Sequence, residues 1–167
     1  MARVFFAKEA TEQSFEREAP NYSVIHVATH TVINTQKPEL SALMFSPPED
    51  SSSIAGGALL AGEMYAIDLQ ADLVVFSSCE SALGALTRGE GMIAFTRGFL
   101  YAGARNLVVS LWKVPDRPTS EFMHLFYAKL LEGESFEAAL RDAKLRMLAN
   151  EATAAPRNWA AFILFGF

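Results

Sequence analysis

The chain has 167 residues, which suits one domain and leaves little room for a second. Its hydrophobic fraction of 51% excludes intrinsic disorder as the default state, because enough apolar surface is present to offset the entropy of ordering. The 14 basic and 19 acidic residues give a net charge of -5, which argues against nucleic acid or an anionic membrane as the main partner.

Short apolar runs alternate with longer amphipathic stretches, a pattern typical of a layered α/β domain. Two runs, Leu73–Ser77 and Leu107–Leu111, are so continuously apolar that we expect strands covered by helices on both faces. The other predicted strands are Val4–Phe6, Val24–Ala28, Ala42–Ser46 and Ala160–Phe165. No apolar run reaches the ~20 residues that a membrane-spanning helix needs.

Helical spacing of apolar residues occurs in four stretches between these runs. The predicted helices are Thr11–Ala19, Gly91–Ala102, Ser120–Leu131 and Ser135–Leu148. Gly103 and Gly133 follow two of them as stop signals, and Ser135 is placed to cap the last one. The prolines, serines and acidic residues between Ser46 and Gly57 predict a loop.

The single cysteine, Cys79, excludes an internal disulfide framework and leaves one thiol to explain. Cys79 follows the predicted strand Leu73–Ser77, and His30 follows another predicted strand. Sites in open α/β sheets form beyond the carboxyl ends of the strands, so we expect the two residues at one edge. A thiol nucleophile needs such an imidazole, whereas a buried cysteine that acts as a small hydrophobe is the alternative.

Other kinds of site are weakly supported. His26 lies within a predicted strand and His124 within a predicted helix, and both positions have ordinary structural roles. His26 and His30 are four positions apart, but no His-Glu-x-x-His motif and no second cysteine complete a metal site. The glycines from Gly84 to Gly91 fit no phosphate-binding motif, and no Gly-x-Ser-x-Gly elbow is present. We therefore expect neither a metal nor a cofactor.

Six segments, taken in order, form a recognisable set of motifs: His26–His30, Ala71–Glu80, Gly89–Gly91, Ala102–Arg105, Ser110–Asp116 and Asn158–Gly166. Together they resemble the CHAT domain, a bacterial branch of the caspase-like cysteine peptidases. The resemblance covers nearly the whole chain, so we expect residues 1–167 to form one caspase-like domain. Because CHAT domains usually carry a longer N-terminal region, it also implies a missing strand and helix and a sheet edge open to a partner.

The resemblance implies a three-layer α/β/α sandwich of the caspase/hemoglobinase type, with a mostly parallel central sheet and a Cys-His dyad that hydrolyses peptide bonds. By position, Cys79 would be the nucleophile and His30 the general acid and base. The backbone N–H groups of Cys79 and Thr31 would hold the oxyanion. The family usually has glycine where Thr31 stands, and a β-branched residue disfavours a positive φ.

The resemblance also implies substrate contacts. Ser110 and Trp112 resemble the strand that lines substrate in caspase-like enzymes. Asp116 matches an acidic position that contributes to a pocket for Arg or Lys, and its alternative role is a helix cap or turn residue. Glu90 is either a second acid near that pocket or a charge favoured by the dipole at a helix N-terminus.

Two functions stay open at this point. The first is a caspase-like cysteine endopeptidase that cleaves a protein or peptide substrate after a basic residue. The second is a catalytically silent caspase-like module for protein binding or regulation, with a repeat domain or partner protein, and Thr31 favours it. The apolar part of the N-terminus is too short for a signal peptide, so we expect a cytoplasmic protein.

Overall fold

The computed structural model describes residues 2–34, 36–47, 57–77, 79–80 and 88–166, with the backbone alone at 79–80 and 88–94. Within these residues the strands are β1 (Val24–Val27), β2 (His30–Val32), β3 (Ala42–Met44), β4 (Ala58–Leu60), β5 (Leu73–Phe76), β6 (Cys79–Glu80), β7 (Asn106–Ser110) and β8 (Phe162–Gly166). The α-helices are α1 (Glu12–Glu18), α2 (Arg88–Tyr101), α3 (Asp116–Leu131) and α4 (Phe136–Ala149).

The larger sheet has the strand order β1-β5-β7-β8. Strands β1, β5 and β7 run parallel, and β8 pairs antiparallel with β7 at one edge. The protein is therefore a mixed α/β fold with a mostly parallel sheet, as the alternation of strand and helix patterns predicted. The apolar runs predicted as central strands, β5 and β7, are adjacent within this sheet.

A second, smaller sheet has the order β4-β3-β2-β6. Strands β2, β3 and β4 form an antiparallel meander, and β6 pairs parallel with β2. The sequence did not predict β2, β4 or β6. Each of them has only two or three residues, which is too short to show a period of two.

Hydrophobic clusters form on both faces of the larger sheet. Alternate residues of β5 point to opposite faces, so Val74 and Phe76 join one cluster while Leu73 and Val75 join the other. The first cluster includes the α2 residues Phe95 and Phe99, together with buried residues of the smaller sheet. The second includes the buried faces of α3 and α4. Burial on both sides explains why β5 and β7 are apolar at nearly every position.

Several predicted boundaries were wrong. Val4–Phe6 is not a strand, because it pairs with no described strand and leaves Val4 63% and Phe6 73% exposed. Helix α3 begins at Asp116 rather than Ser120, since Pro118 is tolerated in the first turn, where backbone N–H groups have no partner within the helix. The predicted loop between Ser46 and Gly57 lies outside the described residues at positions 48–56.

The predicted cap at Ser135 and the predicted stops at Gly103 and Gly133 are confirmed, and the structure adds a cap at Thr11. The Thr11 hydroxyl accepts from the Ser14 N–H at 3.1 Å at the start of α1, and the Ser135 hydroxyl accepts from the Ala138 N–H at 3.3 Å at the start of α4. Gly103 follows α2 with φ 111°, and Gly133 follows α3 with φ 89°. Both conformations lie in the left-handed region that favours glycine.

Gly103 and Gly133 offer a matched pair of substitutions. A Cβ at Gly103 would lie against the carbonyl oxygen of Leu69, whereas a Cβ at Gly133 would meet nothing within 4 Å. We expect Gly133→Ala to lower the free energy of unfolding by about 1 kcal/mol through backbone strain, and Gly103→Ala by about 3 kcal/mol or more. Urea unfolding of the two variants measures the difference, and equal losses would contradict the close approach at Leu69.

Candidate functional site

Three adjacent strands of the larger sheet place polar residues on one face at their carboxyl ends. His26 lies on β1, Ser77 directly follows β5, and Ser110 ends β7. Since residues two apart along a strand share a face, Ser77 continues the face of Val75 and Ser110 that of Val108. This is the face covered by α3 and α4, so polar groups replace the apolar core where the parallel strands end.

A cavity of about 320 Å³ lies at this place. The strand residues form one side of the cavity, and the first two turns of α3 form the other. Its described lining consists of His26, Ala28, Ser77, Ser110, Val114, Asp116, Thr119, Ser120, Met123 and Phe162. Asp116 is the one carboxylate in this lining. It is also the first residue of α3, directly after the N-cap residue Pro115, and no side-chain hydrogen bond is formed at that cap position.

His26 is held from both sides of its ring. Its Nε2 atom lies 2.8 Å from the Ser77 hydroxyl oxygen, and its Nδ1 atom lies 3.1 Å from the Tyr127 hydroxyl oxygen of α3. His26 keeps part of its surface exposed, but the surrounding protein atoms remove enough water to lower the pKa of His26. Burial raises the pKa of Tyr127, so this phenol is neutral at pH 7.

Sequence reasoning gave His26 an ordinary structural role and did not single out Tyr127. The signal for His26 was present, since one polar residue interrupts the apolar strand β1 between buried Ile25 and buried Val27. A polar residue there indicates a face that is not fully packed. Tyr127 carried no comparable signal, because its position on α3 fits the apolar face of a helix equally well.

The predicted dyad residues are neighbours in the backbone. In the parallel pairing of β2 with β6, the Cα of His30 lies opposite that of Cys79. Neighbouring strands are ~4.8 Å apart, so the backbones of these two residues lie close together. The His30 side chain is exposed to solvent. The arrangement supplies an accessible imidazole beside the position of the chain's one cysteine.

Thr31 lies in β2 between Leu43 of β3 and Glu80 of β6, and it is fully buried. Its backbone does not adopt a positive φ, since Ala7 is the one non-glycine residue in the described part of the chain that does. Thr31 therefore does not adopt the positive-φ conformation that glycine alone tolerates easily.

The remaining predicted site residues, Ser110, Trp112 and Glu90, lie in different parts of the fold. Ser110 lines the cavity, and its hydroxyl donates to the Trp112 carbonyl at 2.5 Å. Trp112 packs against the cluster formed by α3 and α4 and is not among the described residues that line the cavity. Its Nε1–H donates to the Arg157 carbonyl at 3.3 Å. Glu90 is the third residue of α2, at the helix N-terminus, and its side chain lies outside the described part of the structure.

Within the described residues, no group of three or more His, Cys, Asp or Glu side chains is arranged to hold a metal ion. No described helix combines the length and the apolar character that crossing a membrane requires.

The fold and these motifs define the class of the protein. A sequence model of the CHAT domain matches residues 1–167, so the chain belongs to the CHAT domain family, which is caspase-like. The resemblance stated from the motifs is thereby confirmed.

Two curated relatives share part of the chain. Tetratricopeptide repeat protein 28 of mouse (Mus musculus) and the human (Homo sapiens) protein of the same name are each 40% identical to it over 108 residues. The match covers 65% of this chain and 4% of either relative's length. Both relatives are mammalian, so the similarity reaches beyond the bacterial branch of the family that the motifs suggested.

The environment of His26 predicts a pH dependence of stability. Because the folded protein favours the neutral ring, the unfolded chain takes up a proton first as the pH falls through the ordinary histidine value of 6.5. We expect the free energy of unfolding to fall between pH 7.5 and 5.5, with a share of less than about 1 kcal/mol due to His26, since its ring is partly open to solvent.

Urea unfolding at the two pH values measures this share. His26→Gln should reduce the loss of stability on acidification. His124→Gln is the matched control, because His124 is an exposed residue of α3 that does not line the cavity. The same loss in wild type and His26→Gln would contradict the assignment to His26.

Proposed function

We propose that this protein is a caspase-like cysteine endopeptidase that cleaves after a basic residue, through Cys79 and His30. The observation that carries the proposal is the parallel register of β2 and β6, in which His30 lies opposite Cys79. The caspase-type three-layer sandwich is part of the proposal, and helices packed on both faces of the larger sheet support it. A free catalytic thiol stays reduced in the cytoplasm, which is the location that we propose.

The proposed chemistry has two steps. The Cys79 thiolate attacks the carbonyl carbon of the scissile peptide bond, and the His30 imidazolium then donates a proton to the leaving amine as the C–N bond breaks. This leaves a thioester on Cys79. Neutral His30 then takes a proton from a water molecule, the resulting hydroxide attacks the thioester carbonyl, and the C–S bond breaks to release the carboxylic acid product and restore the Cys79 thiolate beside the His30 imidazolium.

The cavity supports the preference for a basic residue. Ser77 lines the cavity and precedes Cys79 by two positions, which a chain can span over at most ~7 Å. The side chain just before the scissile bond would therefore enter the cavity while its carbonyl group lies at Cys79. Asp116 provides a negative charge there for a guanidinium or an ammonium group, which supports Arg or Lys at this position.

A specific observation favours the second candidate, a catalytically silent binding module. The proposed oxyanion donors are the N–H groups of Cys79 and Thr31. Thr31 lies in a strand with neighbours on both sides, where each N–H points toward one of the paired strands. Its N–H would have to leave the ladder to bind an oxyanion. The mouse and human relatives are named for tetratricopeptide repeats, which supports a repeat domain as the regulatory partner.

A panel of fluorogenic peptides that differ only in the residue before the scissile bond tests the proposal. We expect cleavage after Arg and Lys, and a loss of at least about 100-fold in kcat/KM for Cys79→Ala and for His30→Gln. Asp116→Asn should lower kcat/KM for Arg peptides more than for norleucine peptides. His124→Gln is the control for a histidine substitution outside the site.

Two results would count against the peptidase. Cleavage that survives Cys79→Ala would remove Cys79 from the reaction. No cleavage by wild type, with cleavage restored in Thr31→Gly, would favour the silent module and locate the defect at the oxyanion donor.

A further inference from the structure

The hydrogen-bonded series Ser77–His26–Tyr127 lines or adjoins the cavity, and the proposed peptidase chemistry does not use it. The three residues come from separate parts of the chain: His26 from β1, Ser77 from the end of β5, and Tyr127 from α3. The His26 and Tyr127 rings also contact each other, with centroids 5.7 Å apart. A series that joins two strands and a helix fixes the position of the imidazole at the cavity wall.

His26 and Asp116 together set the charge of the cavity. Among the described lining residues, Asp116 is the one carboxylate and His26 is the one side chain that becomes cationic on protonation. The lining carries one negative charge when His26 is neutral and none when it is protonated. A cationic side chain is attracted in the first state, and in the second it meets the repulsion of an imidazolium in the same cavity.

The imidazole cannot easily turn away from the cavity when it is protonated. An imidazolium donates from both nitrogens, and the Ser77 and Tyr127 hydroxyl oxygens already lie within hydrogen-bonding distance of them. A proton taken up by His26 would therefore place its charge inside the cavity. Among the described residues, three groups face His26. Ser77 directly follows β5, and Tyr127 and Asp116 lie on α3.

We propose that His26 is a specificity-determining residue of this cavity, and that the cavity accepts a basic side chain well only while the His26 imidazole is uncharged. This inference rests on the proposed function for its physiological substrate, but binding of a cation to the cavity does not require peptide cleavage.

The electrostatics of the site agree with this role. Loss of surrounding water lowers the pKa of His26, so the ring is neutral near pH 7 and the cavity is then in its cation-binding state. Acidification converts it to the state that disfavours a cation. The dependence on pH therefore runs in one direction, with weaker binding of basic groups at lower pH.

Agmatine, a guanidinium compound without a peptide bond, tests the inference by binding alone. Linkage requires that if protonation of His26 weakens agmatine binding, then agmatine lowers the pKa of His26 by the same free energy. We expect saturating agmatine to lower this pKa by about one unit, equivalent to about tenfold weaker binding to the protonated state. Imidazole NMR of the wild-type chain measures it, and His26→Gln identifies the His26 signals among the 3 histidines.

Peptide cleavage supplies a second readout. The ratio of kcat/KM for an Arg peptide to that for a norleucine peptide cancels titrations that affect both substrates equally. In wild type we expect this ratio to fall severalfold, by at most about fivefold, from pH 8.0 to 5.5, because the full tenfold difference is reached only below the pKa of His26 in the complex; in His26→Gln the ratio should stay nearly constant. His124→Gln is the matched control and should behave as wild type.

The results separate the two proposals. A pKa of His26 that moves with agmatine supports the inference even if no peptide is cleaved, in which case the proposed peptidase activity alone fails. Agmatine that binds without moving this pKa, or that fails to bind at pH 8.0, would overturn the inference. A cleavage ratio that falls equally in wild type and His26→Gln would overturn it too.

Discussion

The parallel register between two segments, residues 24–31 and 73–80, is the constraint from which the site follows. Val24 lies opposite Leu73 in the larger sheet and His30 lies opposite Cys79 in the smaller one, and both pairs are 49 positions apart in sequence. The two segments thus leave the larger sheet and pair again as β2 and β6 without changing register. The separation of 49 between the proposed catalytic residues is the offset of this pairing.

The register is held by the burial of β5. All four of its residues are at most 1% exposed, and Phe76 packs against Phe95 and Phe99 of α2 with centroid distances of 5.8 and 6.1 Å. A slip of one residue would exchange the side chains of its two faces, and each face is packed against helices. The core therefore fixes where β5 ends, and with it where Ser77 and Cys79 lie.

The same two segments carry residues of the cavity and, further along, the proposed dyad. Along the first segment, His26 lines the cavity and His30 lies four positions further on. Along the second segment, Ser77 lines the cavity and Cys79 lies two positions further on. Binding of a side chain and attack on its carbonyl group would thus be performed by consecutive parts of the same two segments.

The sequence predicted the parts of the fold that depend on long apolar patterns. The runs at β5 and β7 and the cap at Ser135 are local signals, and the structure confirms them. Apart from β3, the strands of the smaller sheet could not be predicted, because strands such as His30–Val32 are defined by their partners rather than by their own pattern. The role suggested for His26 depends on Tyr127, which is 101 positions away and comes near only through folding.

The pH dependence of alkylation of the one cysteine tests most directly whether His30 acts on Cys79. An imidazolium beside a thiol lowers its pKa, so wild type should react with iodoacetamide near pH 6 about tenfold faster than His30→Gln, while His124→Gln should react as wild type does. Profiles of wild type and His30→Gln that coincide from pH 5.5 to 9 would contradict a thiolate–imidazolium pair and the peptidase built on it.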